Sequence, residues 1–108
     1  MPSLMPGLPD KELSPKDFDL LKHDRTTLLK ALLKSPQTPL AGHNEAGETI
    51  VVGINHLDAN KPTLANSELV MTTYQSNQWV RNDYFDNQGK LNATEYNGRW
   101  SDLEDYPN

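Results

Sequence analysis

Apolar and polar positions alternate most regularly in the second half of the chain. Glu68-Leu69-Val70-Met71-Thr72-Thr73-Tyr74 is dense in β-branched, apolar and aromatic side chains, which suit a pleated, half-buried surface. Gln75-Ser76-Asn77-Gln78 is a polar break, Trp79-Val80-Arg81-Asn82-Asp83-Tyr84-Phe85 a second run, and Leu91 to Tyr96 a third. Asp86-Asn87-Gln88-Gly89 fits a type I turn with glycine in the left-handed position. Asn97-Gly98 fits a type I′ turn, whose two central residues both need positive φ. Arg99 to Leu103 then returns as a further strand. The pattern predicts a β-meander.

The turns imply a register. With Asn87 to Gly89 as the loop, Phe85 faces Leu91, Asp83 faces Ala93 and Arg81 faces Glu95. On the opposite surface Tyr84 faces Asn92 and Val80 faces Tyr96. An even-length loop at Ser76-Asn77 groups Val70, Tyr74, Trp79, Phe85 and Leu91 on one face, and Leu69, Met71, Val80, Tyr84 and Tyr96 on the other. An odd-length loop swaps the first strand's faces, because the side-chain period is two. The Val70–Phe85 face is the expected core. That leaves Met71, Val80, Tyr84 and Tyr96 as the expected binding patch, since one helix is too narrow to cover both faces of a four-stranded sheet.

Upstream the period changes. Ser14-Pro15-Lys16-Asp17 reads as a helix start, with Ser14 as cap, Pro15 at the first helical position and Asp17 reaching back as in a capping box. Phe18, Leu21, Leu28, Leu32 and Leu29, Leu33 form a stripe near the helical period. His23-Asp24-Arg25-Thr26-Thr27 interrupts it. Either one helix spans 15–34 or two shorter ones meet at Asp24, and Ser35-Pro36 ends the run. Residues 36–48 and 57–67 read as loops. Thr49 to Asn55, apolar on both faces, reads as an interior strand in which Gly53 marks a bulge or close approach. The expectation is an α+β fold: an N-terminal helix packed on an antiparallel sheet of four to five strands. Residues 1–13 form an irregular tail, 14–103 the domain, and 104–108 an acidic tail.

A length of 108 residues matches one domain. The net charge of −5 is concentrated after residue 49, where no basic stripe for duplex nucleic acid is visible. Cysteine is absent, which removes disulfides, thiolates and cysteine metal sites. No apolar run reaches signal-peptide or membrane length, so a soluble cytoplasmic protein is expected.

Chemistry is sparse. Asp86 to Glu95 resembles the later part of an EF-hand calcium loop. Gly89 stands at its sharp turn, Leu91 at its apolar position, and Asp86, Gln88, Asn92 and Glu95 at ligand positions. The resemblance implies a calcium site, but Tyr84 stands where the first aspartate is needed and the flanks alternate as strands do. A plain hairpin is the preferred reading. His23, His43 and His56 lack metal-ligand spacing. No nucleophile elbow or phosphate loop occurs. Asp83 and Glu95 form a cross-strand carboxylate pair in the implied register, with Arg81 placed to neutralise Glu95. Trp79, Tyr84, Phe85, Tyr96 and Trp100 with Arg81 and Arg99 resemble in kind a stacking platform for single strands, yet Asp83, Asp86 and Glu95 oppose a phosphate backbone. The expected function is therefore a small non-enzymatic protein-interaction module that uses no cofactor and binds another protein or a second copy of itself. The alternative is a small-ligand or calcium-binding domain using the Asp86–Glu95 region or a pocket between helix and sheet. If Asp86 to Glu95 is a hairpin turn, millimolar calcium leaves the melting temperature unchanged, because a ligand stabilises only the state it binds. A rise of several degrees in calorimetry, abolished by Glu95→Gln, would establish the calcium site instead.

Overall fold

The computed structural model describes residues 11–34, 39–58, 60–61 and 63–96. Two short helices, α1 (Pro15–His23) and α2 (Arg25–Leu33), precede five strands: β1 (Leu40–His43), β2 (Thr49–His56), β3 (Ser67–Gln75), β4 (Gln78–Phe85) and β5 (Leu91–Tyr96). All neighbouring strands are antiparallel, in the order β1-β2-β3-β4-β5. The fold is α+β. A single 3₁₀ turn, Leu64–Asn66, leads into β3. The strand expected at Arg99 to Leu103, its Asn97-Gly98 turn and the acidic tail lie outside the described residues.

The helix start forms as its chemistry requires. Asp17 N donates to Ser14 Oγ at 3.1 Å, and Ser14 N donates to the Asp17 carboxylate at 3.0 Å. Asp24 divides the helical run in two. Its backbone leaves the helical region (φ −154°), its N–H still donates to Leu20 O, and its side chain caps α2 by accepting from Thr27 N. The Thr27 hydroxyl and N–H hold the Asp24 carboxyl below its ordinary pKa, because both bonds favour the charged form.

The break lets two nine-residue helices turn one leucine face to the sheet. Leu21, Leu28, Leu29 and Leu32 join Leu40, Ile50, Val52, Leu69 and Phe85 in one core, with Phe18, Leu20, Leu33, Ile54 and Met71 at its margin. Near its start α2 is fastened to the β4–β5 turn. Arg25 stacks over the Phe85 ring, 4.2 Å from its centroid, and donates to Gly89 O, while Thr26 Oγ1 donates to Asn87 O. Gly89 takes φ +82°, and a Cβ there would lie 3.3 Å from Arg25 Cβ. Backbone conformation and helix approach therefore both require glycine at this position.

Three features depart from the pattern-based expectation. The first is β1, inside the stretch read as a loop. It closes on β2 through Asn44-Glu45-Ala46-Gly47-Glu48, where Asn44 Oδ1 accepts from Ala46 N and Glu48 N, and Gly47 takes φ +82°. The β4–β5 turn is built the same way: Asp86 Oδ1 accepts from Gln88 N and Lys90 N. Second, Lys11 to Leu13, assigned by pattern to the tail, lies parallel to β1. Leu13 N donates to Ala41 O, Ala41 N donates to Lys11 O, and Leu13 is buried. Gly42 permits this approach, since a Cβ there would sit 3.0 Å from Leu13 Cβ. Gly53, by contrast, marks neither a bulge nor a tight contact; its nearest foreign atom would be 3.9 Å away.

The third departure is the register. Ser76 and Asn77 do form a two-residue turn, at φ 51° and 65°. But Tyr74 pairs with Trp79 while Thr73 pairs with Arg81, so Val80 is an unpaired bulge residue. A second shift leaves Asn92 unpaired, with Phe85 opposite Leu91 but Tyr84 opposite Ala93. The bulges exchange the expected faces. Leu69, Met71, Asp83 and Phe85 lie on the helix side, and Val70, Thr72, Tyr84 and Glu95 on the other. The Val70–Phe85 face is thus not a face at all. The expected Arg81–Glu95 pair is absent: Arg81 bonds Asp83 at 3.0 Å, and Thr94 Oγ1 completes that carboxylate at 2.8 Å.

Leu28 is 1% exposed at the centre of the helix face. Leu28→Ala should cost about 2–4 kcal/mol in denaturant unfolding, from lost transfer energy and the cavity left behind. A change within about 0.5 kcal/mol would move the leucine face off the core.

Candidate functional site

Among the described residues, both helices lie on one side of the sheet and none covers the other. The uncovered face follows from pairing and alternation. Its rows are Thr49, Tyr74 and Trp79; Val51, Thr72, Asn82 and Glu95; Gly53, Val70, Tyr84 and Ala93; and Asn55 with Glu68. Most of these side chains are half-buried. A shallow trough of about 380 Å3 runs across the face between Pro39, Val51, Gly53, Val70, Thr72 and Tyr84.

A hydrogen-bonded chain crosses this face, and its polarity is consistent. Thr72 Oγ1 and Trp79 Nε1 both donate to Asn82 Oδ1, at 2.7 and 3.1 Å. That fixes which end of the amide is nitrogen. Asn82 Nδ2 in turn donates to Glu95 Oε1 at 3.2 Å, and Tyr84 Oη donates to the same oxygen at 3.0 Å. Every step of the chain runs toward the Glu95 carboxylate on the last strand. Chains of aligned hydrogen bonds of this kind polarise one another and hold their members in one orientation. At the far end Asn55 Nδ2 donates to Glu68 Oε1 at 2.8 Å. No lysine or arginine occurs in these rows.

Burial first, then the bond to Glu95, pushes the Tyr84 phenol above its ordinary pKa, and the charges of Glu95 and Glu68 act in the same direction. The arrangement offers rigid acceptors and aromatic surface. It contains no nucleophile with an adjacent base.

The four residues expected to form the binding patch are distributed across the sheet. Tyr84 stands on the uncovered face. Met71 packs at the margin of the core. Tyr96 pairs with Arg81 on the helix side, and Val80 is the bulge residue. Sequence reasoning missed Thr72, Asn82 and the placement of Glu95, because the first two depend on the bulge at Val80 and the third on the shift at Asn92.

The calcium-loop residues are likewise not gathered. The Asp86 carboxylate is occupied by the turn's own N–H groups. Glu95, opposite Asn82, lies about 13 Å along the hairpin from Asp86. Among the described residues no group of three or more His, Asp or Glu side chains is placed to hold a metal ion.

A second concavity, of about 500 Å3, lies between α1 and the β1–β2 turn. Leu13, Pro15 and Phe18 line it together with Asp19, Lys22, His23, His43 and Glu45. Thus His23 and His43, distant in sequence, share one cleft. His23 also lies 3.9 Å from Asp19, both largely exposed.

The raised phenol makes a pH prediction. A tyrosine whose folded pKa is above its unfolded value stabilises the fold below the unfolded pKa, and that stability is lost as pH rises through the folded pKa. In a tyrosinate absorbance titration, the latest-ionising component should vanish in Tyr84→Phe and move to lower pH in Glu95→Gln. An unchanged late component in Tyr84→Phe would assign the raised phenol elsewhere.

No family model matches the chain, and comparison with curated proteins and with solved structures finds no match.

Proposed function

We propose that this domain is a binding module, not an enzyme, and that its recognition surface is the helix-free face of the sheet. The observation that carries this reading is the asymmetry of the sheet. Two short helices occupy one face, while Val51, Val70, Thr72, Tyr74, Trp79 and Tyr84 remain partly exposed on the other. An apolar and aromatic surface with fixed polar groups is the composition of a recognition surface. The network from Thr72 and Trp79 to Glu95 supplies the orientation. Bound groups meet it preorganised, so less ordering entropy is lost on association.

A second reading rests on the cleft between α1 and the β1–β2 turn. Its apolar floor and convergent histidines suit a small ligand. Its test is chemical-shift mapping with a small-molecule library, in which hits at Phe18, His23 and His43 would shift weight to that cleft.

The main reading is tested by site-specific photo-crosslinking in cells. A photoreactive side chain at Thr72 should give discrete adducts, and one at Lys16, on exposed helix surface, should not. Val70→Lys in the Thr72 reporter should abolish those adducts while changing stability little. Equal yields from the two positions would remove the sheet face as the recognition surface.

A further inference from the structure

The uncovered face is acidic as well as half-apolar, and its two carboxylates neither cap a helix nor pair with a cation among the described residues. Asp17 and Asp24 cap helices. Asp86 is consumed by a turn, and Asp83 is paired with Arg81 and Thr94. Glu68 and Glu95 are each oriented by an asparagine amide from the adjacent strand, through Oε1. Neither row contains a cation. Their fields overlap on the surface between them, since both raise the Tyr84 phenol.

We propose that the helix-free face binds an extended, arginine-bearing segment of another protein, with Glu95 and Glu68 as its two anchors. The inference rests on the module reading above and adds the chemistry of the partner. Charge complementarity excludes the self-paired alternative. A two-fold contact brings a surface against its own copy, which here sets carboxylates against carboxylates, with no lysine or arginine among the described residues of these rows. Arginine fits better than lysine. Asn82 and Tyr84 converge on Glu95 Oε1, which leaves the outer edge of the carboxylate for a planar fork of donors, and the Tyr84 ring lies alongside for stacking. The spacing suits an extended chain. Glu68 lies four residues along β3 from Thr72, about 13 Å, and Glu95 two strands across, about 9–10 Å. The diagonal is about 16 Å. Two arginines four positions apart on an extended strand span about 13 Å, and their long side chains cover the difference. Val70, Thr72 and Val51, in the trough between the anchors, would meet the intervening apolar side chain.

The test titrates the isotope-labelled full chain with the peptide glycine-arginine-threonine-valine-threonine-arginine-glycine, in which the central valine shares a face with both arginines, with its citrulline counterpart, and with spermine. Amide shifts at Val51, Val70, Thr72, Tyr84 and Glu95 are expected with the arginine peptide. Glu95→Gln should weaken binding about tenfold, the loss expected for one charge-assisted contact, and the citrulline peptide, which lacks both charges, should not bind measurably. The double variant E68Q/E95Q should abolish binding, with its melting temperature confirming that it remains folded. Shifts confined to the helices or the cleft, undiminished binding by the double variant, an equal response to spermine, or no binding at millimolar peptide would each overturn the proposal. If the Thr72 crosslinks persist alongside such a result, the partner chemistry alone is wrong. If they are absent too, the module reading falls with it.

Discussion

One unpaired residue in β4 decides which half of every side-chain set in this sheet meets the helices. Side chains on a strand alternate with period two, so a single extra residue exchanges the faces of everything beyond it. Val80 is that residue. With it unpaired, Leu69 and Phe85 stand together under α2, and the Arg25 guanidinium can lie over the Phe85 ring. The same bulge sends Val70, Tyr84 and Asn82 to the opposite side, where the second shift, at Asn92, sets Glu95 opposite Asn82. Core and candidate recognition surface are therefore joint outcomes of two pairing choices, at Val80 and at Asn92.

Much of the local structure was legible because it depends on near neighbours. The Ser14–Asp17 capping box, the cap at Asp24, the leucine stripe and the glycine turn at Asp86 to Gly89 all rest on contacts within four residues. The β1–β2 turn carries the same signal. Asn44 to Gly47 repeats the spacing of Asp86 to Gly89, and both turns fold identically. That parallel was available in the sequence and would have revealed β1, whose four residues are too short for alternation to show. The bulges were not legible. Nothing in Trp79-Val80-Arg81 distinguishes a paired valine from an unpaired one; the choice is made by which residues the leucine face needs beneath it. The site inherited this limit: Tyr84 lies on the uncovered face, but among other neighbours than the turn-based register implies.

The polar network on the uncovered face differs in kind from the polar groups on the helix side. Asp83, buried, has its cation and its hydroxyl donor supplied from β4 and β5, so its charge is compensated within the fold, as a buried carboxylate requires. Among the described residues Glu95 receives dipoles and no cation. Dipoles orient a carboxylate without cancelling its charge, and the field of the face persists into solvent.

The tie between α2 and the β4–β5 turn also bears on the order in which the chain assembles. Each strand pairs with its successor, so the sheet grows by closing short connections. Arg25 and Gly89, by contrast, are 64 positions apart. Closing a loop of that length costs about 2 kcal/mol more than closing a five-residue turn. The penalty shrinks once the intervening meander has zipped up, because the ends are then already near each other. Topology thus favours a route in which the hairpins form early and the helices dock last. On that route both faces of the sheet are exposed before the leucines arrive, and the leucine face is the one the helices then cover.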